Sequence, residues 1–329
     1  MIAIVGAGIL GCYLGARLSA GGAEVVLIGR ERMAAHVTRH GLVATDYAGS
    51  RITAPRARFS TDPAAVAGAS LVIVLVKSAD TEQAGRHIAP YLSPDATILS
   101  LQNGVSNDET LARVLGRRVL AGVVGFYVTP GADGAFHQGM RGTLDLPHES
   151  TLDVLARAGL PLAYHQDMRA VQWAKLMLNL NNAINALSGL PLREELLDRD
   201  FGDASRWPRP QLPDLCCASG QAVARLTALP PRAIPVVLRL PTPLFQRIAG
   251  AMLRIDPLAR SSMADDLALG RRPEVDWING AVVDMARTMG QDAPINSRLV
   301  ALVQACFVTP RPWTGAALLA ELRRARNAG

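Results

Sequence analysis

The sequence IAIVGAGILGCYLGARLSA, which covers residues 2–20, decides the fold of the first half of the chain. Its first four residues, Ile2–Val5, are apolar and predict a short buried strand. From Leu10 to Ala20 the pattern predicts a helix, and the glycines between the two predict a tight turn. A strand, a glycine turn and a helix in this order are typical of the first unit of a doubly wound parallel sheet.

The turn carries the spacing Gly6-x-Gly8-x-x-Gly11. Gly6 permits the tight turn, Gly8 lets a pyrophosphate approach the backbone, and Gly11 lets the helix pack closely on the strand. N–H groups of the first helical turn, which includes Ile9 and Leu10, have no intrahelical partner and can donate to phosphate oxygens. The sequence therefore predicts that these five residues bind a dinucleotide.

Apolar runs and helical stretches continue to alternate as far as about residue 165. Further strands are predicted at Glu24–Ile28, Leu71–Val76, Thr97–Leu101 and Val119–Phe126, and further helices at Thr81–Ala89 and Asp108–Leu115. We expect residues 125–142 to form a hairpin or meander that closes the same sheet. Residues 1–165 are thus predicted to be a doubly wound, Rossmann-like α/β domain that binds NADP(H).

The second half has a different pattern, typical of an all-α domain over residues 166–329. Helices are predicted at Met168–Leu187, Phe245–Leu253, Ser261–Leu269, Val275–Met289, Ser297–Phe307 and Gly315–Ala325. Eight of the 21 prolines lie between Pro208 and Pro243, so that stretch cannot be one continuous helix.

The end of the second strand bears on the choice of dinucleotide. An NAD site usually has an acidic residue there, which holds the ribose hydroxyls, whereas an arginine accommodates the 2′-phosphate of NADP. This strand is followed by Arg30, with Arg32 close behind, so NADP(H) is the predicted cofactor. The alternative is that Arg30 is a solvated loop cation and either cofactor is used.

Composition excludes several classes of partner. The formal net charge is +6, but the basic residues are scattered and aromatic residues make up only 5%, which argues against nucleic acid and favours a small anion. No apolar run approaches the ~18 residues of a membrane span, and the N-terminus lacks the basic region of a signal peptide. The four cysteines show no metal or disulfide spacing. We expect a cytoplasmic protein with no membrane partner and no metal.

Lysine occurs only at Lys77 and Lys175, whereas the chain contains 32 arginines. Arginine stays protonated near neutral pH, while lysine can release its proton when its surroundings lower its pKa. Arginine-favouring codon usage is the alternative explanation. Lys77 and Asn103 each follow an apolar strand, at the edge of the sheet where ligands bind in open α/β folds. The alternative for Lys77 is that it is an ordinary loop lysine.

Lys175 lies in the stretch Trp173–Asn185 of a predicted helix, and this stretch is apolar apart from the lysine and four asparagines. At 100° per residue, Asn179 lies ~40° and Asn182 ~20° from Lys175, so the three share one stripe. Because a buried lysine is unfavourable unless it is paired, this stripe must face a polar cleft or solvent. Farther on, Ser262 and Glu274 lie near the starts of two predicted helices, where an acidic residue is also favoured by the helix dipole.

Together these motifs resemble the ketopantoate reductase (2-dehydropantoate 2-reductase) family from residue 1 to about 307. The resemblance is carried by the glycine run, Arg30, Lys77, Gln102-Asn103-Gly104, Trp173-x-Lys175-Leu176-x-x-Asn179, Ser261-Ser262-Met263-x-x-Asp266, Glu274-Val275-Asp276-Trp277-Ile278-Asn279-Gly280 and Gly290-x-x-x-Pro294-x-Asn296. It implies reduction of 2-dehydropantoate to pantoate by NADPH, within pantothenate and coenzyme A biosynthesis.

The resemblance also implies residue roles. Lys175 would be the general acid, with Glu274 keeping it protonated, and the helical domain would hold the substrate and form a homodimer. The groups that would orient the 2-keto acid are Asn103, Asn179, Ser262 and Glu274, and Asn103 would also contact the cofactor. Asn182 is a further candidate substrate contact, on helix geometry. Two alternatives remain open: a reductase of another 2-keto acid or imine, and a non-catalytic NADP(H)-binding regulator.

The chain departs from the family pattern in two places. The second helix asparagine of the family is replaced by Ala183, with Asn182 and Asn185 on either side. Helix geometry favours Asn182 as the substrate contact, while the sequence after Asn185 is more similar to the family's. Residues 202–220, where the family has a regular helix, are expected to be a loop insertion, a diverged segment or a frameshifted stretch.

Overall fold

A computed structural model describes residues 1–209, 211–227 and 259–328. The chain divides into two units, Met1–Met168 and Arg169–Gly329. The helix predicted at Phe245–Leu253 lies outside the described residues.

The first unit alternates strands and helices. Its strands are β1 (Ile2–Val5), β2 (Val25–Ile28), β3 (Val43–Asp46), β4 (Arg51–Thr53), β5 (Arg58–Ser60), β6 (Leu71–Val74), β7 (Thr97–Ser100), β8 (Leu120–Ala121), β9 (Val123–Val124), β10 (Val128–Pro130), β11 (Phe136–Gln138), β12 (Leu144–Pro147) and β13 (Leu162–His165). Its α-helices are α1 (Ile9–Ala20), α2 (Glu31–His40), α3 (Thr81–Ile88) and α4 (Asn107–Leu115). Short 3-10 helices occur at Pro63–Val66, Ser78–Asp80, Ala89–Tyr91, Ala132–Gly134 and Ser150–Ala158.

Six strands form a parallel sheet in the order β5-β2-β1-β6-β7-β8. All residues of β1, β2 and β6 are buried, which explains why these strands read as continuous apolar runs. The order reverses between β1 and β6, and ligands of open α/β sheets bind at such a reversal, beyond the carboxyl ends of the strands. The predicted doubly wound, Rossmann-like fold is confirmed.

Residues 125–142 do not close this sheet, contrary to the prediction. They supply β10 and β11 to a separate sheet of order β10-β11-β3-β4, while β9 joins β12 and β13 in a third sheet. The predicted strand Val119–Phe126 divides at Gly122, where a Cβ atom would lie 2.6 Å from Leu101 Cδ2. β8 therefore stays in the main sheet and β9 leaves it.

The described part of the second unit is helical, as predicted. Its helices are α5 (Met168–Asn179), α6 (Asn181–Ser188), α7 (Leu192–Leu197), α8 (Arg199–Ser205), α9 (Gln211–Ala218), α10 (Ser262–Ala268), α11 (Val275–Thr288), α12 (Pro294–Val308) and α13 (Gly315–Ala328).

The prediction of a single helix over Met168–Leu187 is wrong in one respect. The structure has two helices there, α5 and α6, which are separated at Leu180. Leu180 keeps helical backbone angles, φ −57° and ψ −24°, and its N–H still donates to the Leu176 carbonyl at 3.0 Å. The interruption falls among the asparagines, which are poor helix formers because their side chains bond elsewhere. Here the amides of Asn181 and Asn185 donate to the carboxylate of Glu195.

Residues 202–209 and 211–220 are more regular than the sequence led us to expect. They contain the end of α8 and all of α9, whose Leu212, Leu215 and Cys216 are buried. Pro213 is tolerated because it lies in the first turn of α9, where the backbone N–H has no helical partner. The segment is therefore part of the packed helical unit.

Candidate active site

The glycine turn after β1 has the geometry that its spacing predicts. Gly6 has φ +93°, and a Cβ atom there would lie 2.4 Å from Val76 N, so the turn packs directly on the segment after β6. A Cβ on Gly11 would lie 2.8 Å from Gly6 O. At Gly8 the nearest atom to such a Cβ is 4.0 Å away, so the space above this exposed residue is open.

Helix α1 begins at this open space. The preceding residue, Gly8, has no side chain to cap the helix, and the first turn carries no acidic residue. The N–H of Cys12 donates to the Gly8 carbonyl, and the N–H groups of Ile9 and Leu10 belong to the first turn, where no intrahelical acceptor exists. Donor groups at the positive end of a helix dipole fit the pyrophosphate of a dinucleotide.

Arg30 lies beside this turn, at the carboxyl end of β2. Its exposed guanidinium donates to the Asp80 carboxylate at 2.8 Å. Because β2 and β6 flank β1, this ion pair spans the end of β1. Gly29 is packed so closely that a Cβ would lie 3.0 Å from Ala7 Cβ, which holds the two loops together. A guanidinium next to the glycine turn can pair with a phosphate group.

Lys77 and Asn103 follow β6 and β7 and are both partly buried. A buried polar network fixes the two loops that carry them. The Gln102 amide donates to the Val76 carbonyl at 2.9 Å and to Thr81 Oγ1 at 2.7 Å. Asn107 accepts from Thr81 Oγ1 at 2.8 Å and donates to the Asn103 carbonyl at 2.6 Å.

Sequence reasoning missed the positioning residues of this network. The sequence places Gln102 in the motif Gln102-Asn103-Gly104 but indicates no role for it, nor for Thr81 and Asn107. The available signal was a polar residue directly after an apolar strand, because such a side chain must find partners when it is buried. Gln102, Thr81 and Asn107 are at most 7% exposed.

In the second unit, the polar stripe of the α5–α6 region is partly buried. Lys175, Asn179 and Asn182 are each neither fully buried nor fully exposed, while the intervening Leu176 and Met177 are buried. The stripe is thus not a solvated helix face. The reacting groups predicted for this helix therefore sit at the margin of an apolar core.

Asn185, the other asparagine considered as a substrate contact, is fully buried. Its amide donates to Glu195 Oε2 at 2.8 Å and to the Leu190 carbonyl at 2.9 Å. Its oxygen accepts from the Ser261 N–H at 2.8 Å. Each polar atom of this side chain therefore has a partner within the protein.

The two serines at the start of α10 differ in exposure. Ser261 caps the helix, since its Oγ accepts from the Ala264 N–H at 3.1 Å, and it also donates to the Asn182 carbonyl at 3.3 Å. Ser262, the predicted substrate contact, is exposed. The structure thus links the segment carrying Ser262 to the segment carrying Asn182.

Glu274 directly precedes α11 and is 6% exposed. Its side chain does not cap that helix, so helix capping does not account for its burial. Asn279 and Asn296 belong to the family motifs but are fully buried, and the Asn279 amide donates to Asn296 Oδ1 at 3.1 Å. These two asparagines join α11 to α12 and are positioned by the fold.

Burial shifts the pKa values of a neighbouring acid and base in this unit. Desolvation raises the pKa of the Glu195 carboxyl from 4.5 to about 7, against the lowering effect of hydrogen bonds from Asn185 and Asn181. Desolvation also lowers the pKa of the nearby Arg209 from 12.5 to about 10. Sequence reasoning missed both groups.

The fold and the glycine turn define a dinucleotide-binding protein of the Rossmann-like class. The family described as ketopantoate reductase PanE/ApbA matches residues 2–150, and its C-terminal counterpart matches residues 167–306. The chain belongs to this ketopantoate reductase family of oxidoreductases. No helix in the described ranges combines the length and apolar character that a membrane crossing requires.

Curated relatives agree with this membership. A 2-dehydropantoate 2-reductase of Halobacterium salinarum is 29% identical over 326 residues, covering 92% of this chain and 97% of the relative. The enzyme of the same name from Archaeoglobus fulgidus is 28% identical over 314 residues, covering 92% and 96%.

Two solved structures are similar over nearly the whole chain. A PanE/ApbA family ketopantoate reductase from Ralstonia eutropha JMP134 has a TM-score of 0.79 at 32% identity, covering 93% of this chain and 98% of that one. D-mandelate dehydrogenase, solved with NADH and anilino(oxo)acetate, has a TM-score of 0.78 at 19% identity, covering 94% and 98%. The second likeness concerns the fold alone.

Proposed function

We propose that this protein reduces 2-dehydropantoate to pantoate with NADPH, as a step in pantothenate and coenzyme A biosynthesis. The observation that carries the proposal is the open glycine turn at the start of α1, beside the guanidinium of Arg30. The relatives named 2-dehydropantoate 2-reductase supply the substrate. The proposal also includes the domain roles: residues 1–165 would bind the cofactor and residues 166–329 would bind the substrate.

The cofactor would be held by the backbone of the glycine turn and by nearby cations. Gly6, Gly8 and Gly11 give the pyrophosphate room, and the N–H groups of Ile9 and Leu10 would donate to it. Arg30 would pair with the 2′-phosphate in place of Asp80, and Lys77 and Asn103 would contact the cofactor from the neighbouring loops. When bound, NADPH supplies the hydride.

Lys175 would act as the general acid. Its ammonium group would donate a proton to the substrate's keto oxygen as that oxygen gains negative charge, and general acid catalysis of this kind contributes about 10²–10⁴-fold in rate. Glu274 would stabilise the protonated form of Lys175, which a proton donor requires. Partial burial of Lys175 supports this role because it limits competition from water.

Four polar residues would orient the keto acid, namely Asn103, Asn179, Asn182 and Ser262. We favour Asn182 over Asn185, since every polar atom of the Asn185 side chain is already engaged. Amide and hydroxyl donors suit the carboxylate, keto and hydroxyl oxygens of such a substrate. Holding these groups in place lowers the entropic part of the barrier.

The alternative is a reductase of another 2-keto acid or of an imine. The fold itself does not select the substrate, since D-mandelate dehydrogenase shares it. A panel of 2-keto acids and imines, assayed by NADPH oxidation, separates the two: turnover of another compound without turnover of 2-dehydropantoate would replace the proposal. Cofactor binding without turnover of any carbonyl compound would favour a regulator.

The predictions of a cytoplasmic enzyme and of a homodimer belong to the same proposal. Size-exclusion chromatography with light scattering, on the protein with and without NADPH, tests the dimer. A mass of about twice 35.0 kDa is expected.

A further inference from the structure

Glu195 is a fully buried acid in the short helix α7, and its carboxylate accepts hydrogen bonds from two asparagines. The Asn181 amide donates to its two oxygens at 3.0 and 3.3 Å, and the Asn185 amide donates to Oε2 at 2.8 Å. Both asparagines lie on α6, one turn apart. One carboxylate therefore fixes the rotation of α6 relative to α7.

We propose that Glu195 is a positioning residue, which sets the separation and orientation of Asn182 and Ser262 for the 2-keto acid. The proposal rests on the function proposed above, in which Asn182 and Ser262 contact the substrate. Glu195 itself would touch neither substrate nor cofactor.

A continuous chain of hydrogen bonds carries the effect. Glu195 holds the Asn185 amide, and the oxygen of that amide accepts from the Ser261 N–H at 2.8 Å. Ser261 Oγ closes the chain by donating to the Asn182 carbonyl at 3.3 Å. Asn182 and Ser262 are thus each adjacent in sequence to residues that this network fixes, Asn181 and Ser261.

The network requires a group that only accepts hydrogen bonds. Two amide NH₂ groups converge on Glu195, and an ionised carboxylate can accept from both. A glutamine would present its own NH₂ to one of them, and that asparagine would have to turn. Asn181 can then supply an acceptor, because its Oδ1 is buried and has no hydrogen-bond partner in the part of the chain that the structure describes. Glu195→Gln should therefore keep the packing and change the orientation.

The experiment is a steady-state comparison at pH 8 of the wild type, Glu195→Gln and the control Glu194→Gln, whose side chain is exposed. For Glu195→Gln we expect KM for 2-dehydropantoate to rise about 10-fold, kcat to change by less than about 3-fold, and the Kd of NADPH to stay constant. The control should match the wild type. A structural role alone would lower the melting temperature and leave both kinetic constants of the folded enzyme unchanged, and that result would overturn the proposal.

If Glu195→Gln does not fold, Asn181→Ala provides the test, because it removes one donor and the unpartnered oxygen together. A KM increase of about 3-fold is expected, and an unchanged KM would overturn the proposal. If the wild type reduces a different 2-keto acid, the proposed substrate is wrong, and the same KM comparison with that acid tests Glu195 separately. If the wild type reduces no carbonyl compound, both proposals fail.

Discussion

Lys175 and Arg30 are the two cations whose chemistry the proposed reaction uses most directly. A lysine ammonium can give up a proton near neutral pH, whereas a guanidinium cannot. In a chain with 32 arginines and two lysines, a lysine on the margin of an apolar helix is therefore informative. At Arg30 the requirement is reversed, because a planar guanidinium that keeps its charge suits a phosphate.

Replacement of Lys175 by arginine retains the charge and removes the proton donor. We expect kcat for 2-dehydropantoate to fall by about 10²-fold or more, while the Kd of NADPH changes little. Nicotinamide fluorescence gives the Kd and stopped-flow absorbance at 340 nm gives the rate of reduction. Near-normal kcat in this variant would contradict the general-acid role.

Replacement of Arg30 by aspartate should discriminate between the two nicotinamide cofactors. Charge-assisted hydrogen bonds contribute about 1.5–3 kcal/mol, so the Kd of NADPH should rise at least about 10-fold. The Kd of NADH should change by less than about 3-fold. Arg39→Asp, at the other end of α2, is the matched control. Equal weakening of both cofactors by Arg30→Asp would refute the 2′-phosphate assignment.

At the scale of elements, apolar strands were predictable and short polar ones were not. β1, β2 and β6 are fully buried, so each residue contributes to the pattern. β4 and β5 have three residues each and no buried position. Their sequences therefore show neither an apolar run nor an alternation of apolar and polar residues from which a strand could be predicted. The sequence of a strand also does not reveal which other strand it pairs with. For this reason the prediction placed β10 and β11 in the wrong sheet.

The hydroxyl group of Thr81 links Gln102 to Asn107 and so helps to fix the loops after β6 and β7. Thr81→Val keeps the shape but removes one of the two acceptors of the Gln102 amide and the hydroxyl donor to Asn107 Oδ1, all in a buried site. We expect the free energy of unfolding of the first unit to fall by about 1–3 kcal/mol, and the Kd of NADPH to rise. Thr110→Val on α4 is the control, and thermal unfolding followed by circular dichroism is the measurement. Unchanged stability would show that the network does not fix these loops.

For the whole molecule, buried Glu195 predicts a dependence of stability on pH. Its pKa is about 7 when folded, against an ordinary value of 4.5, so the folded state binds more protons between these pH values. The stabilising contribution of protonated Glu195 is therefore fully present below pH 4.5. It is lost as pH rises to about 7, which lowers the free energy of unfolding by roughly 3 kcal/mol.

Urea unfolding at pH 5 and pH 7.5 tests this dependence. Because other groups titrate as well, the informative quantity is the difference between the wild type and Glu195→Gln. That difference should change by roughly 2 kcal/mol between the two pH values, because pH 5 already lies above the unfolded pKa, and Glu194→Gln should follow the wild type. Parallel pH profiles for wild type and Glu195→Gln would contradict the prediction.

The sequence was most informative where the requirement is local. The backbone of Gly6 has φ +93°, which other residues rarely adopt, so its spacing alone located the turn. Asn182 and Asn185 could not be separated in the same way. Which of them is engaged depends on Glu195 and Ser261, and Ser261 is 76 residues from Asn185 in the chain. Contacts of this range leave no local pattern.

The most direct test of the proposed function is a steady-state assay of the purified protein with 2-dehydropantoate and each nicotinamide cofactor. We predict conversion to pantoate with NADPH, and a kcat/KM for NADPH at least about 10-fold above that for NADH. Absence of turnover with 2-dehydropantoate, together with turnover of a different 2-keto acid, would contradict the proposed function.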